Sequence, residues 1–289
     1  MAESILSWPL GIVAGIASDL LSLRQGRDFR HARLVELEEL GLVTMEGRLT
    51  GVGRILAYHQ AEYERQAAGD FIEGSMLDRM ELGPDSRVLD VGAGAGQSLR
   101  LLGPLGVEGR TGVDIDLVAL AFGCRMSEAC GERIQFVRGS AESLPFPDAS
   151  FTHVISRVAL NYVHQATALS EMARVLRPGG LIYCRAEGPG HDLKRLFHSR
   201  NPYRILGELH HFAHGVVFGM TGRQMTPGQR FAGGRTFATL KWIARRLKQG
   251  GCEVLAAETP RYASIPRQYI VLARKEREAH GRLVVGQDA

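Results

Sequence analysis

The segment Val88-Leu89-Asp90-Val91-Gly92-Ala93-Gly94-Ala95-Gly96-Gln97 constrains this chain more than any other. A short apolar run enters a turn with glycine at alternate positions, and helix-forming residues follow. This pattern predicts a strand, a loop whose backbone can approach a ligand closely, and a helix. The rhythm continues downstream. Strands are expected over 87–91, 111–115, 134–138, 151–157 and 181–186, with helices over 97–102, from 116 to about 129, and over 166–176. Such alternation implies βαβ units, a largely parallel sheet and right-handed crossovers. A helix over 236–249 and strands over 252–258 and 267–274 close the series.

The loop resembles several nucleotide sites, and three details separate them. The dinucleotide fingerprint is GxGxxG, and here the sixth position is Gln97, so the match fails. Asp90 lies in the strand two residues before the first glycine, where a carboxylate is unwelcome beside a pyrophosphate but useful beside a cationic amino-acid moiety. Asp114 ends the second strand, 24 residues after Asp90. A carboxylate there can accept from both hydroxyls of a ribose. The expected ligand is a nucleoside without a phosphate chain, which disfavours a nicotinamide oxidoreductase.

Residues 87 to 186 resemble the class I S-adenosylmethionine-dependent methyltransferases, in the branch that methylates small molecules. The glycine loop matches that family's first motif, and Gly112-Val113-Asp114-Ile115-Asp116 its second. The stretch from Gly139 to Phe151 resembles the segment under the adenine, and Arg174-Val175-Leu176-Arg177-Pro178-Gly179-Gly180 the turn into the fifth strand. The resemblance implies a Rossmann-like α/β fold, a seven-stranded sheet between two helical layers with its last strand antiparallel. It also implies S-adenosylmethionine as cofactor and S-adenosylhomocysteine as product. Asp90, Gly92, Ala93, Gly94 and Gly96 are then expected along the methionine part, with Asp90 toward its amino group. Asp114 is expected on the ribose and Ile115 against the adenine. Ser140, Ala141 and Glu142 border the adenine edge, and Ser156 and Arg157 approach the methionine end through their backbone. Ser140 departs from the Asp that many relatives carry. Asp116 reads as a helix N-cap rather than a ligand.

Acceptors in open sheets bind outside the carboxyl ends of the strands. Two segments reach that edge. One holds Asn161, Tyr162 and His164. The other, 188–235, carries Lys194, Arg195, Arg200, Arg204, Arg223, Arg230 and Arg235 against only Asp192 and Glu208, together with His191, His198, His210, His211 and His214. It reads as a lid over an anionic or aromatic small molecule, with Arg195 and Tyr203 among the binding residues. Tyr162, His210, His211 or His214 is the candidate base or positioning group, since a hydroxyl or carbon nucleophile needs one. The sequence leaves O-, N- and C-methylation open. No metal is expected, because the three histidines lack a carboxylate at ligand spacing. A solvated surface with satisfied histidines is the alternative for this segment.

Residues 1–70 form the expected front domain. It is helical, with two β-prone stretches around Glu46-Gly47 that suggest a winged-helix-like hairpin, and its expected role is dimerisation. The apolar stretch 5–17 is too short to span a membrane. It fits a packing or dimerisation helix, with a membrane-surface anchor as the alternative. Residues 71–276 form the catalytic domain, and 277–289 a polar tail. Two rivals remain open: an RNA methyltransferase that grips through the basic insertion, and a cofactor-sensing winged-helix regulator. Against DNA reading, the helix at 33–40 carries Glu36, Glu38 and Glu39. The net charge of +4 is small for nucleic-acid binding. Four scattered cysteines without metal spacing fit reduced thiols and a cytoplasmic location.

Overall fold

The computed structural model describes residues 5–8, 10–26, 31–44, 46–68, 74–157, 159–224 and 235–277. The expected polar tail lies outside these except for Arg277. Seven strands form one sheet: β1 (Arg87–Val91), β2 (Gly109–Asp114), β3 (Gln135–Arg138), β4 (Phe151–Ser156), β5 (Leu176–Glu187), β6 (Cys252–Glu258) and β9 (Gln268–Lys275), in the order β3-β2-β1-β4-β5-β9-β6. β1 to β5 run parallel, and the last strand, β9, is antiparallel to both neighbours. This is the sheet the sequence predicts. β4 is buried at every position, as a strand covered on both faces must be.

One layer places α7 (Gln165–Val175) and α10 (Leu240–Gln249) over Val154, Ile182 and Val271. On the other face, Met76, Met80 and Leu99 pack on Ile155, Tyr183 and Leu272. A two-stranded hairpin, β7 (Arg261–Tyr262) with β8 (Ile265–Pro266), interrupts the run between β6 and β9 and was not expected. Its turn holds Ala263 and Ser264 at positive φ, so no glycine marks it in the sequence.

The front helices are α1 (Leu10–Arg24), α2 (His31–Glu39) and α3 (Gly51–Ala67), followed by the short α4 (Gly74–Arg79). Ile16, Leu20, Leu56 and Ala57 share one buried cluster with Phe122 and Met126 of α6 (Leu117–Ala129). The front helices therefore complete the sheet domain's core. The hairpin expected near Glu46-Gly47 is a single bridge, Val43 to Leu49. Around it Thr44 N donates to the Arg48 carbonyl at 2.7 Å and Thr50 N to the Leu42 carbonyl at 3.0 Å, and the Thr50 hydroxyl caps α3, accepting from Gly53 N at 3.2 Å. A side chain at Gly53 would lie 2.1 Å from the Leu42 carbonyl, so the helix must follow at once.

The insertion is helical. α8 (Pro189–His198) follows β5 directly, and α9 (Pro202–Thr221) is capped by Asn201, whose side chain accepts from Tyr203 N at 2.9 Å. α9 crosses Phe237 at Gly215, where any Cβ would come within 2.1 Å of the ring. Among the described residues, no helix is long and apolar enough to cross a membrane.

Candidate active site

The carboxyl ends of β1, β2 and β4 meet at the glycine loop. Gly92, Gly94 and Gly96 all hold positive φ, at 76°, 55° and 75°. The conformation costs an L side chain dearly, and space forbids one as well. A Cβ would come within 2.3 Å of the Ala159 Cβ at Gly92, and within 2.5 Å of the His59 ring at Gly94. The loop hydrogen-bonds to β2: Gly92 N donates to the Val113 carbonyl at 2.9 Å, and Gly94 N to Asp114 Oδ2 at 2.8 Å. Asp114 Oδ1 accepts from Asp116 N at 2.9 Å. Asp116 in turn accepts from Val118 N and Ala119 N, the N-cap role expected of it.

Asp90 is 3% exposed, and burial pushes its carboxyl up to about 7. The Arg157 guanidinium opposes that shift, and the neighbouring Asp114 charge adds to it. A buried acid whose burial outweighs its one opposing cation, Arg157, fits an incoming ammonium. Ile115 is 68% exposed, a bare apolar side chain next to Asp114 where a flat base could rest. Glycines that exclude side chains, Asp90, Asp114 and Ile115 together fit the amino-acid, ribose and base parts of S-adenosylmethionine.

Other expected cofactor residues have mainly structural duties. Ser156 is fully buried and donates to the Val91 carbonyl at 3.0 Å, tying β4 to β1. Ser140 accepts from Glu142 N at 3.2 Å, while Glu142 accepts from His164 N at 2.8 Å. The turn at 140–142 is thereby fastened to the start of α7. Ala93 and Ala141 are buried.

His59, Gln97 and Tyr63 were missed. His59 of α3 packs on Gly94, and its Nδ1 lies 2.9 Å from Gln97 Nε2, which also donates to the His59 carbonyl. Burial lowers the ring to about 4, so it is neutral. Tyr63 donates to the Ala95 carbonyl at 2.5 Å. The only sequence signal was a polar pair on an amphipathic front helix, 38 residues from its loop partner.

At the ends of β4 and β5 a second cluster forms. Arg235 pairs with Glu187 at 2.8 Å, Asp192 at 3.1 Å and Glu208 at 2.5 Å. Arg195 also pairs with Glu208, at 2.6 Å. His191 Nε2 lies 3.2 Å from Glu187. Burial, reinforced by Arg235 and Arg195, holds that ring down at about 3, so the contact is not ionic. Burial raises Glu187 above the usual carboxylate range against the pull of Arg235, and raises Asp192 to about 7. Tyr162, half exposed, interacts electrostatically with Glu187 and Arg235. Tyr58 of α3 is pushed up to about 12 by burial, with Glu62, Tyr162 and Glu187 adding to the shift and Arg65 opposing it.

The acceptor candidates thus divide. Tyr162 and Arg195 join this cluster, and His211 is buried with Nδ1 3.5 Å from Arg235. Asn161 is corrected. Its amide is consumed by the backbone, donating to the Glu187 and Thr236 carbonyls and accepting from Glu187 N. His164 caps α7 and contacts Thr167 at 2.7 Å. Tyr203 is 86% exposed. The His210 and His214 rings lie 4.1 Å apart, tilted by 46°, away from the buried face of α9. Among the described residues no three potential metal ligands converge.

Comparison with known proteins places this geometry. Residues 89–184 match the family model described as a methyltransferase domain. A ubiquinone/menaquinone biosynthesis C-methyltransferase, UbiE, from Hahella chejuensis is 35% identical over 111 residues, covering 37% of this chain and 45% of that protein. The chain thus spans less than half the length of the curated relatives it matches. In fold, a SAM-dependent methyltransferase from Methanosarcina mazei aligns at TM-score 0.51 and 20% identity, over 72% of this chain and 100% of the other. The [4+2]-cyclase SpnF aligns at 0.51 and 20% identity, over 70% and 79%. The glycine loop, Asp90 and Asp114 thus stand at the carboxyl edge of a sheet whose residues 89–184 carry a methyltransferase domain, on the fold of an S-adenosylmethionine-dependent methyltransferase.

Proposed function

We propose that this protein transfers a methyl group from S-adenosylmethionine to a neutral aromatic or hydroxylic small molecule, bound beside Tyr58, Tyr162 and Glu187. The observation that carries this reading is the largely buried, Arg235-paired Glu187 carboxylate at the carboxyl end of β5, one strand from the glycine loop's neighbour β4. The cofactor supplies an activated methyl group. The residues of this chain do the rest. Tyr58 and Tyr162 hold the acceptor, Glu187 takes its proton, and Arg235 keeps Glu187 in place. Asp90 and Asp114 orient the cofactor by charge and hydrogen bonding.

An anionic acceptor is less well served than the sequence implied, because Arg195 and Arg235 are already neutralised by Glu187, Asp192 and Glu208. The same neutralisation weakens the RNA reading. For the regulatory reading, the expected hairpin is short, a bridge of Val43 with Leu49. The name of UbiE specifies a carbon acceptor. The family match ends at residue 184, short of Glu187, Arg195 and Arg235, so it carries nothing about the proton acceptor.

The test is label transfer from methyl-labelled S-adenosylmethionine to a panel of phenols and hydroquinones, with tRNA in parallel. Product on a neutral phenol or hydroquinone is expected. Transfer to tRNA alone would remove the small-molecule reading, and calorimetric titration without cofactor binding would remove methyl transfer itself.

A further inference from the structure

α9 distributes its residues the wrong way round for a helix that only closes a core. Its buried face carries Glu208, His211, Gly215 and Phe218. Its outer face carries Tyr203, Leu206, Leu209, Val217 and Met220, exposed by 86%, 66%, 47%, 40% and 81%. At 100° per residue these five fall within an arc of roughly 120°, opposite the buried residues. They extend over about 26 Å of helix. Phe197, one residue before the end of α8, is 74% exposed. Single exposed apolar residues are ordinary. A continuous stripe marks a surface that meets something apolar.

The charges nearby identify the partner. Lys194 and Arg200 are exposed before the stripe and Arg223 after it. The acidic residues of 188–224, Asp192 and Glu208, are buried and paired with Arg235. Among the described residues of that segment, no carboxylate reaches the surface. A second copy packed across α9 would bring like charges together without an acid to pair them. An anionic lipid surface complements the stripe and the cations at once. We infer that the outer face of α8 and α9 docks on an anionic membrane. α9 lies in the plane of the interface, its stripe at the boundary of headgroups and acyl chains, its basic ends against the headgroups. This binding needs no methyl transfer.

The experiment is flotation of the full chain with vesicles of phosphatidylcholine alone or mixed with phosphatidylglycerol. Association with the mixed vesicles only, weakening as salt rises, is expected. Leu206→Glu with Met220→Glu should lower partitioning at least tenfold. Arg200→Ala and Arg223→Ala should each lower it about fivefold. Unchanged circular dichroism and cofactor affinity show that the variants are folded. Three results overturn the inference: no association at any composition, association unaffected by Leu206→Glu/Met220→Glu, or a concentration-dependent dimer that this variant dissolves while vesicles recover nothing.

Discussion

The cofactor edge and the acceptor edge of this molecule are built on different plans. At the cofactor edge the working groups come from strand ends and tight turns. Gly94 meets Asp114 across 20 residues, and Asp114 meets Asp116 across two. At the acceptor edge, Arg235 reaches 48 residues back to Glu187, and Asn161 joins a backbone 75 residues away. The first plan presents backbone geometry, which glycine spacing encodes locally. The second assembles buried charges, whose meaning depends on which partner each finds. Hence counting basic residues in the insertion misjudged its surface. Two of the arginines are spent on internal carboxylates, while the α9 face turned outward is apolar.

Several changes would break or sharpen this contrast. The largest effect is expected from Arg235→Ala, which leaves three carboxylates without their shared cation. Removing one partner of a buried ion pair costs about 3–5 kcal/mol. Urea unfolding should show the loss, and a variant within 1 kcal/mol of wild type by that measurement would mean the cluster behaves like surface charge. Next, Glu187→Gln should lower kcat about a hundredfold while cofactor affinity stays within about twofold, the range for loss of a general base. His210→Ala, away from the cluster, should leave kcat within about twofold of wild type. Equal losses in the two would remove Glu187 as the base.

Asp114→Ala should weaken cofactor binding at least about tenfold in a folded protein, since hydrogen bonds to a charged group carry about 1.5–3 kcal/mol. Calorimetry decides, and unaltered affinity would remove Asp114 from the ribose. The smallest effect is a pH dependence. The Asp90 carboxyl sits near 7 because burial favours its protonated form. An ammonium ligand binds the ionised form, so cofactor affinity should rise with pH up to about 7, by at most about tenfold per unit. Asp90→Asn should flatten that rise. A slope that persists in the variant belongs to another group.

The history of the front helices shows why local pattern reached only so far. Helical spacing and a Gly-containing turn were legible between residues 34 and 66. Nothing in that stretch shows that His59 and Tyr63 would seat on a loop more than thirty residues later, or that Leu56 would share a core with Phe122. Tertiary burial chose those partners. The turn at Ala263-Ser264 was illegible for a different reason: it adopts positive φ without the glycine that announces such turns.

The amino-acid sequence alone determined the strand–turn–helix alternation, the three glycines that must hold positive φ, and the carboxylates at the ends of β1 and β2. Each depends on dihedral preference and residue spacing, which act over a few residues. The tertiary structure alone decided which histidine faces inward, which arginines are neutralised, that Asn161 serves the backbone, and that an apolar stripe of α9 meets solvent. Those outcomes depend on charge neutralisation and burial between distant segments, and a one-dimensional pattern carries no distance across the fold.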